Sequence, residues 1–267
     1  MKKNLLLSSG STIYFREAGQ GPVLLLLHAF PLDSEMWLPQ IDAFAQNYHV
    51  IAPDIFGFGD SHHEETWTVD SMANALAEFL VLLNIHQRVV VGGLSMGGYI
   101  ALGFARKYAH HLQGLILADT RSEADSEEAR AARGKSSDFV LEHGSATFFE
   151  RMMLPKVISD QSRKEQPELA NHLLTMASRQ KPAGISAGLM ALRNRPDVTA
   201  ELSAIACPTL IICGSEDTLT PPALSQAMAD KIPNSTLKVI AGAGHLSNIE
   251  SPELFNEAVQ QFLESCT

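Results

Sequence analysis

Cysteine is scarce in this chain of 267 residues: there are three, Cys207, Cys213 and Cys266. Their odd number and wide separations offer no disulfide framework and no close metal-binding pair. Cys207 and Cys213 flank or occupy an apolar stretch, where a small buried thiol is expected. Free thiols suit a reducing compartment, so the expectation is a cytoplasmic protein. Long hydrophobic runs are missing too. Residues 23–27 are too few to span a bilayer, and the three leucines of MKKNLLLSS are too few for the apolar part of a secretion signal. Positive charge is in deficit, with 20 Lys and Arg against 30 Asp and Glu for a formal net charge of −10. With no Lys/Arg run interleaved with aromatics, neither a nucleic-acid partner nor a membrane is expected. No low-complexity tract occurs, and 45% hydrophobic against 19% charged residues excludes disorder over most of the length. The paired histidines His62–His63 and His110–His111 read as polar surface, and no metal or organic cofactor is expected. The glycines of residues 51–61 and the Gly92–Gly93 pair form neither a dinucleotide fingerprint nor a Walker A loop.

What the chain does have is alternation. Short apolar runs without regular polar interruption occur at 23–27, 48–52, 88–91, 114–118, 208–213 and 236–240, and residues 11–15 also look like a strand. Such runs suit strands buried on both faces. Residues 69–83, 99–108, 222–231 and 252–263 carry helical spacing, the last two with proline near their starts. The pattern predicts an α/β fold, a mostly parallel sheet with helices on both faces. Residues 121–198 depart from it. They begin with the acidic, alanine-rich SEADSEEARAARG, continue with helical segments around 138–154 and 168–180, and show no strand-like run. The expected division is a core of residues 1–120 and 199–267 with an inserted helical lid at 121–198. Such a lid lies over the carboxyl ends of the strands if both its connections return there.

The stretch VVVGGLSMGGYIALGFA, residues 89–105, sets Ser95 between a strand-like run and a helix-like one, with glycine on both sides. A G-x-S-x-G corner in this context presents a hydroxyl on a turn so sharp that side chains two positions away would clash. The following helix aims backbone N–H groups at charge developing near the serine. A serine hydroxyl is weak at neutral pH and needs a base, itself oriented by a third group. Of ten histidines, His245 alone follows a small-residue turn, Ala241–Gly242–Ala243–Gly244, directly after the last apolar run. Asp217, after PTLIICGSE, is the preferred acid, with its neighbour Glu216 and the strand-ending Asp119 as competitors. Asp54 reads as a loop-stabilising carboxylate. Two amides are expected to form an oxyanion hole: Met96, after the nucleophile, and Ala29 in His28–Ala29–Phe30–Pro31, with Phe30 as the neighbouring register. His28 is expected to hold that loop. Phe30, Trp37, Phe139, Phe148, Met152, Met153 and Leu246 are the candidate apolar pocket, and Arg121, Arg130 and Arg133 could meet a carboxylate.

Together LLLLHAF, APDIFGFGDS, GLSMG, LIICGSEDTLTPP and GAGHLSNIE resemble the α/β-hydrolase superfamily over almost the whole chain, with Ala29 where a glycine is commoner. The order Ser95, Asp217, His245 is the chain order of that superfamily's triad. More narrowly, the chain is similar to the small carboxylesterase and enol-lactonase-like branch, which includes perhydrolase-type relatives. The resemblance implies a serine hydrolase acting on a small carboxylic ester or lactone through an acyl-enzyme, as a monomer or homodimer. Other acyl or carbon–carbon bonds, and a non-catalytic small-ligand receptor on the same scaffold, are the alternatives.

Overall fold

The computed structural model describes residues 2–62 and 65–266; His63, half of one expected surface pair, lies outside the described residues. Eight strands form one sheet in the order β1-β2-β4-β3-β5-β6-β7-β8. Their ranges are β1 Lys2–Leu6, β2 Thr12–Ala18, β3 Val23–Leu27, β4 His49–Pro53, β5 Val89–Leu94, β6 Leu112–Ala118, β7 Thr209–Gly214 and β8 Ser235–Ile240. Strands β3 to β8 pair in parallel, whereas β2 is antiparallel to both β1 and β4. The expected α/β architecture is therefore the observed one.

Side-chain alternation sorts the strand residues between two cores. Leu25, Leu27, Val89, Val91, Leu115 and Leu117 pack on one face. There they meet α2 (Val69–Leu82) and α3 (Met96–Lys107). Leu24, Leu26, Val90, Ile116, Leu210 and Ile212 pack on the other, against α1 (Leu38–Phe44) and α11 (Pro252–Ser265). Every residue of β3, β5 and β7 is buried, which is why their sequences show no polar alternation. The outer strands depart from that expectation. Among the described residues β8 pairs only with β7, and it leaves Val239 49% exposed, the pattern of an edge strand. Residues 2–6, for which the sequence gives no strand expectation, form the other edge, where Lys2 Nζ lies 2.8 Å from the buried Asp54 carboxylate.

All of the residues between β6 and β7 are helix or connection. They comprise α4 (Glu127–Phe148), a π-helical turn (Phe149–Met153), α5 (Leu154–Val157), α6 (Asp160–Glu165), α7 (Pro167–Ser178), α8 (Pro182–Arg193) and a 3-10 segment, Thr199–Ala204. Their two connections meet: Val198 N–H donates to Ser122 O at 3.1 Å, and the hydroxyls of Ser122 and Thr199 are 2.9 Å apart. In the α7–α8 junction Gln180 donates to Asp33 at 2.9 Å and accepts from Gly59 N–H at 2.8 Å, binding this helical segment to the core. The remaining helices are α9 (Pro222–Ala229) and the short α10 (Ser247–Glu250). No helix among the described residues is long and apolar enough to cross a membrane.

Candidate active site

A parallel sheet brings the carboxyl ends of its strands to one rim. Here the loops after β3, β5, β6, β7 and β8 carry His28–Phe30, Ser95, Asp119, Asp217 and His245, residues far apart in the chain. Ser95 sits between β5 and α3 at φ +54, a left-handed conformation that costs a non-glycine residue energy and persists only where packing enforces it. The enforcing contacts are tight. A Cβ on Gly93 would stand 2.1 Å from Gly97 O, and one on Gly97 would stand 2.0 Å from Leu27 O. The two glycines flanking the corner thus let the first turn of α3 press against both its own strand and β3. Ser95 is only partly buried, among neighbours that are fully so.

His245 Nε2 lies 2.8 Å from Ser95 Oγ, and His245 Nδ1 lies 2.8 Å from Asp217 Oδ2. Asp217 also accepts from Leu219 N–H, Thr220 N–H and the Thr220 hydroxyl, at 2.8, 2.9 and 2.6 Å, which fixes its carboxylate plane. Burial opposes the Asp217 charge, but the His245 charge and these hydrogen bonds outweigh it, so its pKa is lowered. Burial likewise opposes the imidazolium of His245. The Asp217 charge and hydrogen bond outweigh that too and raise its pKa above 6.5. Glu216 is exposed and turns its carboxylate to Ser215, so it does not compete. Asp119 is fully buried and bonds elsewhere, to Gly214 N–H at 2.8 Å and to the Ser247 hydroxyl.

The turn bearing His245 is tied to the inserted helices as well as to the sheet. The buried Glu250 accepts from Gly244 N–H and from Ser159 N–H, both at 2.8 Å, and Leu246 N–H donates to Val157 O at 3.0 Å. His28 holds its loop as expected: Nε2 accepts from Ile55 N–H at 2.9 Å and Nδ1–H donates to Ala29 O at 3.0 Å. Burial lowers the His28 pKa, in keeping with this neutral tautomer. Asp54 accepts from Ser34 and Asp60 N–H at 2.9 and 3.2 Å, the loop-stabilising part assigned to it.

One expected oxyanion donor needs correction. Ala29 N–H points to Met36 Sδ at 3.1 Å and is occupied. Among the described residues no acceptor faces the amides of Phe30 or Met96, so the free pair is one residue further along the first loop.

Beside Ser95 and His245 opens a cavity of about 350 Å³. Of the residues suggested for a pocket, Phe30, Phe148, Met152 and Met153 line it. Trp37, Phe139 and Leu246 do not, which corrects the expected pocket. Trp37 packs against Phe255 beneath the opposite face of the sheet, with ring centroids 6.1 Å apart. Leu246 belongs to that same core, and Phe139 lies against His143 on α4. An aromatic residue near a catalytic segment in sequence can thus serve either face of the sheet.

Tyr99, Leu189, Leu192 and Leu219 line the cavity without having been anticipated. Tyr99 was discoverable, being one helical turn past Ser95; Leu189 and Leu192 carry the same apolar spacing as any core helix. The polar wall is Arg121, Asp125, Arg133 and Lys156. Asp125 is buried and accepts from Arg121 at 2.7 Å, Arg195 at 2.7 Å and Arg133. Burial disfavours its charge, but Arg133 and Arg195 more than compensate and hold its pKa below the usual carboxylate range. Arg130 instead donates to Asp125 O at 3.2 Å. Among the described residues no three His, Cys, Asp or Glu side chains group as metal ligands.

Comparison with known proteins adds to this geometry. A family model described as alpha/beta hydrolase fold matches residues 22–252. The 3-oxoadipate enol-lactonase 2 of Acinetobacter baylyi is 28% identical over 98% of this chain and 97% of its own length. A putative carbamate hydrolase, RutD, of Escherichia coli is 28% identical over 91% of this chain and 90% of its own. A thermophilic esterase from Thermogutta terrifontis, solved with malate bound, is 36% identical with a TM-score of 0.95, covering 100% of this chain and 99% of its own.

Proposed function

The chain belongs to the α/β-hydrolase fold family, and on that premise we propose that it is a serine hydrolase cleaving small carboxylic esters or lactones through an acyl-enzyme. The observation that carries this reading is the unbroken line from Ser95 Oγ through His245 to Asp217, each step 2.8 Å. His245 Nε2 takes the Ser95 proton as Oγ attacks the carbonyl carbon, and Asp217 stabilises the imidazolium that results. The amides of Phe30 and Met96 receive the oxyanion; donors fixed in place before the reaction need no reorganisation. His245 returns its proton to the leaving alkoxide, then activates water to cleave the acyl-enzyme. In a lactone the leaving alkoxide remains on the same carbon chain as the acyl group, so the second step releases a single hydroxy acid from Ser95.

The cavity suits a small substrate with an apolar portion against Phe30, Phe148, Leu189 and Leu192 and an anionic group toward Arg121, Arg133 and Lys156. Three cations against the single carboxylate of Asp125 leave this wall positive in a chain of net charge −10. An enol-lactonase among the relatives and an esterase holding malate support the same substrate class. Residues 121–198, whose connections meet at Ser122 and Thr199, act as the lid.

A fluorophosphonate probe and a panel of 4-nitrophenyl esters and lactones test the proposal. Labelling and turnover are expected in the native protein and lost in Ser95→Ala and His245→Ala, with ester hydrolysis reduced by roughly 10³-fold or more. A folded protein that neither labels nor turns over any member of the panel overturns it.

A further inference from the structure

The last residue of β6, Ala118, and the two that follow it, Asp119 and Thr120, reach different parts of the proposed triad. Ser95 N–H donates to Ala118 O at 2.9 Å, and the Thr120 hydroxyl donates to Ser95 O at 2.9 Å, so both neighbours of Asp119 hold the nucleophile's own backbone. Asp119 itself serves the other two members. Its Oδ1 accepts from Gly214 N–H at 2.8 Å, three residues before Asp217. Its Oδ2 makes a short hydrogen bond with the Ser247 hydroxyl, two residues after His245. The backbone there is at φ +43, with N–H donating to Ile212 O at 2.8 Å, a left-handed conformation that a β-strand end does not adopt without cost.

On the hydrolase reading above, we infer that Asp119 is a positioning residue for the triad: its one carboxyl group fixes the separation between the turn that carries Asp217 and the turn that carries His245. It touches neither substrate nor the reacting atoms, and the acyl-transfer steps do not use it. Its protonation fits the part. Burial, and after it the Asp217 charge, push the Asp119 carboxyl up to about 8. The titratable groups bearing on it are Asp217, His245 and Cys213. Near neutrality it is the uncharged acid, which braces both turns without setting a second negative charge beside the Asp217–His245 pair. An asparagine side chain supplies the same two contacts, its oxygen toward Gly214 N–H and its amide toward Ser247 Oγ. Alanine supplies neither.

The test is kcat and KM on 4-nitrophenyl acetate from pH 5 to 9 for the wild type, Asp119→Asn, Asp119→Ala and Ser247→Ala, with folding checked by circular dichroism. Because a small displacement of reacting groups is costly, Asp119→Ala is expected to lower kcat about 10- to 100-fold with KM held within about threefold, and Asp119→Asn to recover about tenfold of that loss. The wild-type profile is expected to show an inflection near pH 8 that Asp119→Asn lacks. A folded Asp119→Ala with wild-type kcat overturns the inference. So does an Asp119→Asn no better than the alanine variant, or one whose pH profile matches the wild type. Where Asp119→Ala does not fold, Ser247→Ala carries the test: about tenfold loss of kcat at unchanged KM supports the brace, and wild-type kcat overturns it. A wild type inert toward every ester instead sinks the hydrolase reading, a result these variant comparisons cannot imitate.

Discussion

In the proposed mechanism His245 must be uncharged to take a proton from Ser95, and its partner makes that harder in acid. Because Asp217 raises the imidazole pKa above 6.5 against the effect of burial, turnover is expected to climb with pH through a limb centred above that value. In Asp217→Asn the charge that holds the limb there is gone. The limb is expected to move to lower pH, and kcat to fall by roughly 10²- to 10⁴-fold, because the tautomer presenting Nε2 to Ser95 loses its acceptor. A pH–rate profile of the variant reads both effects. Lys156 offers a second test at this scale, since it lines the cavity from an exposed position. Lys156→Gln is expected to raise KM for a dicarboxylic half-ester by about 3- to 10-fold, more than for a neutral ester of the same length, as befits one partly screened charge. Residues of the proposed triad are legible in the sequence because each follows an apolar, strand-like run and two of them sit in small-residue turns. The direction of an amide is not: Ala29 and Phe30 look alike until Met36 Sδ is seen to occupy one of them.

Elements divide by how their neighbours bury them. The inner strands announce themselves as unbroken apolar runs, and α3 is legible from the corner that starts it. β1 is not, because a half-exposed edge strand of lysine, asparagine and leucine carries little periodic signal. α1 escapes for a related reason: only Gln40, Ile41 and Phe44 of its seven residues are buried. The inserted helices are foreseen as helices, yet which of their faces lines the cavity depends on packing that spacing alone does not specify. The contact between α3 and β3 yields a test. Gly97→Ala would force a methyl group to within 2.0 Å of Leu27 O, and backbone cannot step aside as a side chain can. Destabilisation of about 1–3 kcal/mol or more is expected from such overpacking, with loss of fluorophosphonate labelling as the corner opens. Denaturant unfolding of the variant measures the first and the probe measures the second.

Across the whole molecule, proton linkage from the site bears on stability from both sides. Asp217 and Asp125 have folded pKa values below their ordinary one, so they contribute stability above about pH 4 that is lost as the pH falls and they protonate. Asp119 and His245 have raised values, so the native state holds protons that the unfolded chain releases. Their contribution is complete below the unfolded pKa values and fades as the pH rises, for Asp119 from 3.8 to about 8 and for His245 above 6.5. Asp119→Asn removes the first of these alkaline losses. Relative to the wild type its Tm is expected to improve steadily from pH 4 to pH 8, and a flat difference across that range contradicts the assignment.

The double acceptor Glu250 also constrains anyone who would re-engineer this protein. Exchanging residues 121–198 for the corresponding segment of another hydrolase, as a way to change what it cleaves, replaces Ser159 but leaves Glu250 behind. Unless the graft brings an amide to the same place, half of an interior carboxylate is stranded, and the turn beneath the His245 imidazole loses one of its moorings. Chimeras are therefore best cut so that the seam of Val157–Ser159 against Leu246–Glu250 comes from a single parent.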